Sequence, residues 1–199
     1  MNITEIELVG DQDFSIEKIE QYLLLSTPHG GTLDGFNVNY MEQGDQRLII
    51  LTDTFQNIAA FAMFHIWNNG KVWQARNCQS YPPYTNQKLV GKIYKLIINV
   101  FHKSLQSDTE QSFGGRHLWT NVLPSLGLAP MIFDTKTERI LNPNSINDVS
   151  ELMYPEVTDP NDPLQWRYTW ILEHRDHYPS QNLLAEGSLI FPLTGLWKK

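Results

Sequence analysis

The stretch 71–100, KVWQARNCQSYPPYTNQKLVGKIYKLIINV, is the part of this 199-residue chain that decides how the rest is interpreted. Its pattern predicts a strand from Lys71 to Cys78, a turn that contains Pro82 and Pro83, and a helix with Gly91 near its start. Prolines cannot donate ladder hydrogen bonds, so strand pairing should end before this turn. A helix that directly follows a strand directs unpaired N–H groups and a positive dipole end outward, which predicts an anion site there.

The same segment resembles the acyl-coenzyme A pyrophosphate loop of the GNAT (GCN5-related N-acetyltransferase) family. In that family a strand ends at a proline, a Gln/Arg-x-x-Gly-x-Gly/Ala loop holds the pyrophosphate, and a helix follows. Here Pro83, Asn86, Leu89 and Gly91 fall at the matching spacings, and Gly91 keeps the family's residue type. The resemblance implies that acetyl-coenzyme A or another acyl-coenzyme A is bound by Asn86, Leu89, Val90, Gly91 and Lys92.

A second interpretation of this segment uses packing alone. An ordinary crossover from strand to helix would need Gly91 only to let the helix lie close to the sheet. The same two interpretations apply to Lys88, Lys92 and Lys95. These lysines could contact phosphates, or they could form a solvated helix face. Both interpretations stand at this point.

Residues 103–134, KSLQSDTEQSFGGRHLWTNVLPSLGLAPMIFD, predict the elements that come next. They read as a short strand ending at Ser107 and Asp108, a loop, a helix from about Gly114 to Leu126, and a strand through residues 131–133. This order is similar to that of the GNAT fold after its cofactor loop. The phrase SDTEQSFGGRHLW also resembles one in acetyltransferase-like proteins of tailed bacteriophages, which implies a phage-encoded protein.

The remaining elements extend this prediction to a whole fold. The sequence indicates a strand at 3–9, a helix at 14–25, a glycine-rich loop at 27–35, and three consecutive strands at 47–52, 58–67 and 71–78, the last two joined by a tight turn at 68–70. With the resemblance, this implies a GNAT-like α/β (α+β) domain at residues 1–141, with a mixed, mostly antiparallel central sheet and helices on both faces. Residues 142–163 read as a proline-rich connector, and 142–199 as a C-terminal extension packed on the same domain. The extension could complete the sheet, cap a cleft or hold a partner.

Composition excludes several classes of protein. A net charge of −7, with no concentrated basic tract before the final two lysines, disfavours nucleic-acid binding. No run approaches the ~20 apolar residues of a membrane helix, and the first residues lack the basic and apolar character of a signal peptide. A single cysteine, Cys78, excludes an internal disulfide. We therefore expect a soluble, cytoplasmic protein, and the resemblance to phage proteins implies the host cytoplasm or a virion.

Direct acyl transfer to an amine requires a general base, and often a tyrosine that protonates the leaving thiolate. Candidate bases are Asp53, His65, Asp108 and Glu110. The family's tyrosine position holds Trp119, which cannot titrate, so the acid would be Tyr94 or Tyr84. We predict Asp108 as base and Tyr94 as acid. There are also roles without catalysis for these residues. Asp108 could cap a turn through its side chain, and either tyrosine could be an ordinary packing residue.

One further cluster, Glu173-His174-Arg175-Asp176-His177, would suit a metal only if it were helical. We interpret it as a solvated turn and predict no metal site. The function implied by the resemblance is an acyl-coenzyme A-dependent N-acyltransferase with an unknown acceptor. The alternative is a catalytically inactive protein of the same fold, a virion component or a binder of a phage or host protein, which the changes at Asn86, Leu89 and Trp119 favour.

Overall fold

The computed structural model describes residues 15–108, 111–154, 167–174 and 189–190. These residues form two compact units. The first contains the described residues up to Ile66 and the segment Ala75–Leu96, and the second contains Trp67–Gln74 and the described residues from Ile97 onward. The predicted strand at 3–9 lies outside the described residues.

The first unit is an antiparallel sheet with helices. Its strands β1 to β4 pair in chain order, each with the next, and the second half of β5 also belongs to this unit. The elements are α1 (Ile16–Leu25), β1 (Thr27–Leu33), β2 (Phe36–Gln43), β3 (Gln46–Thr52), β4 (Ile58–Trp67), β5 (Val72–Ser80), a 3₁₀ turn (Thr85–Gln87) and α2 (Leu89–Asn99).

Helices cover both faces of this sheet. Ile19 and Tyr22 of α1 are buried in a cluster that includes Phe61 and Met63 of β4. Phe64, whose side chain alternates to the other face of β4, packs against Tyr94 of α2 with ring centroids 5.8 Å apart. The prediction of a mostly antiparallel sheet with helices on both faces is therefore confirmed for the first unit.

The second unit contains the one parallel pairing among the described strands. Residues Val72–Gln74 of β5 pair in parallel with β6, and the antiparallel pairings β6–β9, β9–β7, β7–β8 and β8–β10 follow. The elements are β6 (Ser104–Gln106), α3 (Phe113–His117), a π turn (Leu118–Val122), α4 (Leu123–Ser125), β7 (Met131–Asp134), β8 (Arg139–Leu141), a 3₁₀ turn (Pro143–Ser145), α5 (Val149–Met153), β9 (Tyr168–Leu172) and β10 (Leu189–Ile190). The order strand, helix, strand, helix, strand from β5 to β7 confirms the prediction for residues 71–134.

The segment after residue 142 supplies a central strand of the second unit. In β9, Leu172 is opposite Leu105 of β6, and Ile171 is opposite Met131 of β7. Of the three roles open for the extension, completing the sheet is thus the one that β9 fulfils. The domain boundary between residues 141 and 142 stays a prediction.

Two assignments near the start of the described chain were wrong or missing. Thr27–Leu33 was expected to be a loop, but it forms β1 and pairs with β2. Pro28 and two glycines suit this strand because it is exposed up to Thr32 and lies last in the order of the described strands, where a missing outward N–H costs no ladder bond. The sequence analysis also missed β2, which a turn at Asp34 and Gly35 joins to β1.

The connector 142–163 is less irregular than expected. Its described part contains the five-residue helix α5, and the Asp148 carboxylate accepts a hydrogen bond from the backbone N–H of Glu151 at 2.8 Å. This is an N-cap, and it explains why so short a helix forms. The strand β8, which forms a hairpin with β7, was also missed.

The helix predicted for residues 114–126 is confirmed, with a wide turn inside it. The backbone N–H of Leu123 donates to the carbonyl of Leu118, five residues earlier, where a regular α-helix would use four. Pro124 accounts for this turn, because a proline ring collides with the carbonyl four residues before it. Within the described residues, no helix has the length and apolar character needed to cross a membrane.

Candidate functional site

The turn between β5 and α2 is held by backbone hydrogen bonds. The N–H of Tyr81 donates to the carbonyl of Ala59 at 2.9 Å, after which the N–H of Tyr84 donates to Tyr81 at 2.8 Å and that of Gln87 to Tyr84 at 3.0 Å. The strand β5 ends at Ser80. Strand structure therefore stops before the two prolines, as predicted, and an ordered turn leads to the helix.

A carboxylate of the sheet fixes this turn. The hydroxyl of Tyr84 donates to Oδ2 of Asp53 at 2.6 Å, and the ring of Tyr84 meets that of Phe36 edge-on at 5.5 Å. Oδ1 of Asp53 accepts from the backbone N–H groups of Phe55 and Asn57, both at 2.8 Å. One carboxylate thus joins the β3–β4 turn to the turn that precedes α2.

These contacts decide the chemical role of both residues. The hydrogen bond from Tyr84, followed by that from the side chain of Asn57, lowers the pKa of Asp53 to about 2. The same bond raises the pKa of Tyr84 above its usual value of 10.0. A carboxylate with so low a pKa is a weak base at neutral pH, and the phenol bonded to it is a weak acid. Both residues position the turn.

We expect replacement of Asp53 by asparagine to lower the thermal stability of the protein and to change its acid denaturation. Because the folded-state pKa of Asp53 is lowered, its stabilising contribution is complete above an unfolded pKa of 3.8 and is lost as pH falls toward 2. Thermal melts between pH 2 and pH 5 measure this. The melting temperature of wild type should exceed that of Asp53→Asn near pH 5, and this difference should shrink toward pH 2. A difference that stays constant over this range would contradict the lowered pKa of Asp53.

The start of α2 combines a buried glycine with a core leucine. Leu89 is 0% exposed, Gly91 is buried, and the first helical hydrogen bond runs from the N–H of Lys92 to the carbonyl of Lys88 at 3.0 Å. The side chain of Leu89 therefore belongs to the core, although its position is that of a glycine in the GNAT loop. Val90 is half-buried in the same turn.

Polar residues flank this helix start. Asn86 and Lys88 are exposed in the turn, and Lys88 has a left-handed backbone with φ of +55°. The ammonium of Lys92 forms an ion pair with the carboxylate of Asp34 at 2.8 Å. The five predicted cofactor residues thus lie together along residues 86–92, and Lys92 would have to exchange its partner to meet a phosphate.

Tyr94 lies on the same helix but in the core. It is 1% exposed, and its hydroxyl donates to Sγ of Cys78 at 3.8 Å. Burial raises the pKa of the Cys78 thiol to about 11, and the hydrogen bond from Tyr94 opposes that rise. A catalytic acid must reach the leaving thiolate, so the acid role of Tyr94 stays a prediction that this placement does not favour.

Asp108 lies in the second unit, just beyond β6. It is half-buried, and its carbonyl accepts from the Ser107 hydroxyl at 2.9 Å and from the Gln111 amide at 3.3 Å. The Ser107 hydroxyl also accepts from the backbone N–H of Trp170 at 3.0 Å. The backbone of Asp108 is thereby fixed to β9, and its role as base stays a prediction.

A polar chain behind Asp108 was missed by the sequence analysis. The Trp170 indole donates to the Tyr154 hydroxyl at 3.0 Å, and this hydroxyl donates to the Gln111 amide oxygen at 3.2 Å. The guanidinium of Arg116 lies 4.0 Å from the centre of the Tyr154 ring. These residues come from three separate stretches of the chain, so no local pattern could have predicted the group.

The other candidates occupy structural positions. Nε2 of His65 lies 3.2 Å from a carboxylate oxygen of Asp45, and Trp119 is 2% exposed. Burial raises the pKa of Glu173 to about 7. Glu173 follows β9, whose end pairs with the start of β6, and Asp108 follows the end of β6. Glu173 and Asp108 therefore lie at opposite ends of β6. Glu110 lies outside the described residues.

Comparison with known proteins gives little further guidance. No protein-family model matches this chain, and no curated protein matches it. Among solved structures, a chimera of the spermidine N-acetyltransferase SpeG from Vibrio cholerae and hSSAT is similar over 67% of this chain and 70% of its own, with 6% identity and a TM-score of 0.37.

Proposed function

We propose that the chain is an acyl-coenzyme A-dependent N-acyltransferase with a GNAT-like fold, which transfers an acyl group to the amine of an acceptor still to be identified. The observation that carries this proposal is the start of α2. There, a strand, an ordered turn and an eleven-residue helix follow one another in the chain, and the buried Gly91 lies in the first turn of the helix. Cofactor residues belong to the first unit and Asp108 to the second.

The residues at the start of α2 fit a pyrophosphate. The N–H groups of Leu89, Val90 and Gly91 belong to the first turn, where a helix has no acceptors of its own, and the helix dipole favours a negative group. The burial of Leu89 supports the fit, because its side chain is directed into the core. The hydrogen bond between Asp53 and Tyr84 holds the preceding turn in place. When bound, the cofactor would supply the activated acyl thioester.

Asp108 is the proposed base. A base in this reaction takes a proton from the acceptor ammonium, so that the amine lone pair can attack the acyl carbon. The fixed backbone of Asp108 suits this role, since a catalytic group must be held in position. We assign protonation of the leaving thiolate to no residue.

The proposal is tested by replacing Gly91 with valine. A branched side chain at position 91 would intrude where the proposed phosphate sits, and it should abolish the calorimetric signal of acetyl-coenzyme A binding. Titration of wild type and Gly91→Val with acetyl-coenzyme A, with circular dichroism to verify folding, measures the effect. If the valine variant does not fold, the smaller change Gly91→Ala takes its place in the titration and should weaken binding.

A matched control is available on another helix. Gly114 lies exposed in α3, and a Cβ built there would meet only the Ser112 hydroxyl, at 3.9 Å. Gly114→Val should bind acetyl-coenzyme A as wild type does. Equal affinity of well-folded Gly91→Val and wild type would exclude the start of α2 as the cofactor site.

The second candidate function is a catalytically inactive domain of the same fold, either a virion component or an interaction module that binds a host or phage protein. The observation that favours it is Trp119, which is buried in the core where the family carries a catalytic tyrosine. Phe113, 88% exposed at the start of α3, would suit a protein contact. Absence of acetyl-coenzyme A binding by folded wild type would favour this candidate.

A further inference from the structure

Two histidines of the second unit lie side by side, and one of them, His174, belongs to the segment 173–177 for which the sequence predicted no metal site. His102 precedes β6 and His174 follows β9, so the antiparallel pairing of these strands brings them together. Nδ1 of His102 is 3.0 Å from Nε2 of His174, and their ring centroids are 4.8 Å apart. The two residues are 72 positions apart in the sequence.

The backbone presents both rings from fixed positions. The N–H of His174 donates to the Ser104 hydroxyl at 3.0 Å. The two neighbours of His102 in the chain are also held. The N–H of Lys103 donates to the carbonyl of Ile97 at 3.2 Å, and the ring of Phe101 packs on that of Trp73 with centroids 5.4 Å apart. Contacts on both chain segments thus set the spacing of the two imidazoles.

We propose that His102 and His174 bind one divalent transition-metal ion of the zinc class. Two imidazole nitrogens on a tetrahedral zinc ion lie about 3.3 Å apart, given Zn–N bonds of about 2.0–2.1 Å. The observed 3.0 Å is close to this spacing, and both rings would turn so that their lone pairs meet at the ion. His102 is exposed, so solvent has access to the pair. The ion would join the start of β6 to the end of β9.

The described residues supply two protein ligands. Among the described residues, no group of three or more histidine, cysteine, aspartate or glutamate side chains could hold a metal ion. Water would therefore complete the coordination, and the affinity would be lower than at a four-ligand structural site. Imidazole ligands favour zinc, copper or nickel, whereas Mg²⁺ prefers oxygen.

The competing state is a hydrogen bond between the two rings. In that state one nitrogen donates an N–H to the other, and an exposed hydrogen bond of this kind contributes little net stability because water replaces it. An ion that coordinates both nitrogens displaces this bond. Metal titration therefore separates the two states, because a hydrogen bond alone gives no response to zinc.

The test is calorimetric titration of the full chain with zinc chloride. Wild type should bind one zinc ion, and His102→Asn and His174→Gln should each weaken binding by about tenfold or more, since loss of a ligand exceeds the effect of losing a supporting residue. Asparagine suits position 102 because φ there is +53°. The control His117→Asn removes an exposed imidazole of α3 and should bind zinc as wild type does.

Two further readings complete the test. Zinc should raise the melting temperature of wild type and of His117→Asn but not that of His102→Asn, because an ion stabilises the fold in which its ligands meet. Mg²⁺ should have no such effect. Failure of wild type to bind zinc, an equal response to Mg²⁺, or unchanged zinc affinity in folded His102→Asn would overturn the proposal.

Discussion

Replacement of Asp108 by asparagine is expected to lower the rate of acyl transfer by about 10²-fold or more, once an acceptor amine has been found. Asparagine keeps the shape of the side chain and cannot take a proton from the acceptor ammonium. The hydrogen bonds that fix this residue end on its carbonyl, which the substitution leaves in place. Release of free thiol from acetyl-coenzyme A in the presence of an amine pool measures the rate.

The pH dependence adds a second measurement to this prediction. Wild-type turnover should rise with pH as the acceptor ammonium deprotonates, because the free amine is the nucleophile. Asp108→Asn should keep this rise at its lower rate, since the substitution leaves the acceptor unchanged.

Asp148→Asn is the matched control, because this carboxylate caps α5 in the same unit. It should lower stability by about 1 kcal/mol or less and leave turnover unchanged. Turnover within a factor of two or so of wild type in Asp108→Asn would leave Asp108 only its structural role.

The thiol of Cys78 is expected to react about tenfold more slowly in the folded protein than in the unfolded chain at pH 7, because the thiolate is the reactive form. The rise of the thiol pKa from 9.0 to about 11 lowers the thiolate fraction about 100-fold, and the greater nucleophilicity of a more basic thiolate offsets about tenfold of this loss. Reaction with a chromogenic disulfide, with and without denaturant, measures the ratio. Cys78 is the only cysteine of the chain, so the signal reports a single site.

Tyr94→Phe tests the cause of this protection. The hydroxyl of Tyr94 donates to Sγ of Cys78 and thereby lowers the thiol pKa, so its removal should raise that pKa and slow the folded reaction further. A folded Tyr94→Phe protein that reacts faster than wild type would show that access to the thiol, rather than its pKa, controls the rate. The variant also measures whether acyl transfer needs the hydroxyl.

Local sequence signals predicted the elements that have strong periodicity or clear breakers. The helix α2 and the strand β5 were predicted because apolar spacing and two prolines mark them. By contrast, β1 was mistaken for a loop, since its glycines and Pro28 are typical of turns. Pairing with β2, a tertiary effect, overrides that composition.

The candidate site was predictable only where it is continuous in sequence. Residues 86–92 form one turn and the start of one helix, so their spacing could be compared with a known loop. The Asp53–Tyr84 hydrogen bond joins residues 31 positions apart, and its effect on both pKa values depends on packing that no motif encodes. Asp108 was selected because it follows a strand, whereas its backbone is fixed by the side chains of Ser107 and Gln111, and Ser107 is in turn bonded to the backbone of β9.

The exposed strand β1 bears on how this protein behaves at high concentration. A strand at the edge of a sheet offers unpaired backbone groups to any second chain, and proline or a bulge on that strand hinders such growth. In β1, Pro28 has no N–H to offer, and the pairing with β2 is irregular between Pro28 and Thr32. The composition that made β1 look like a loop therefore also guards the sheet against aggregation, and a run of β-branched residues placed there would remove that guard.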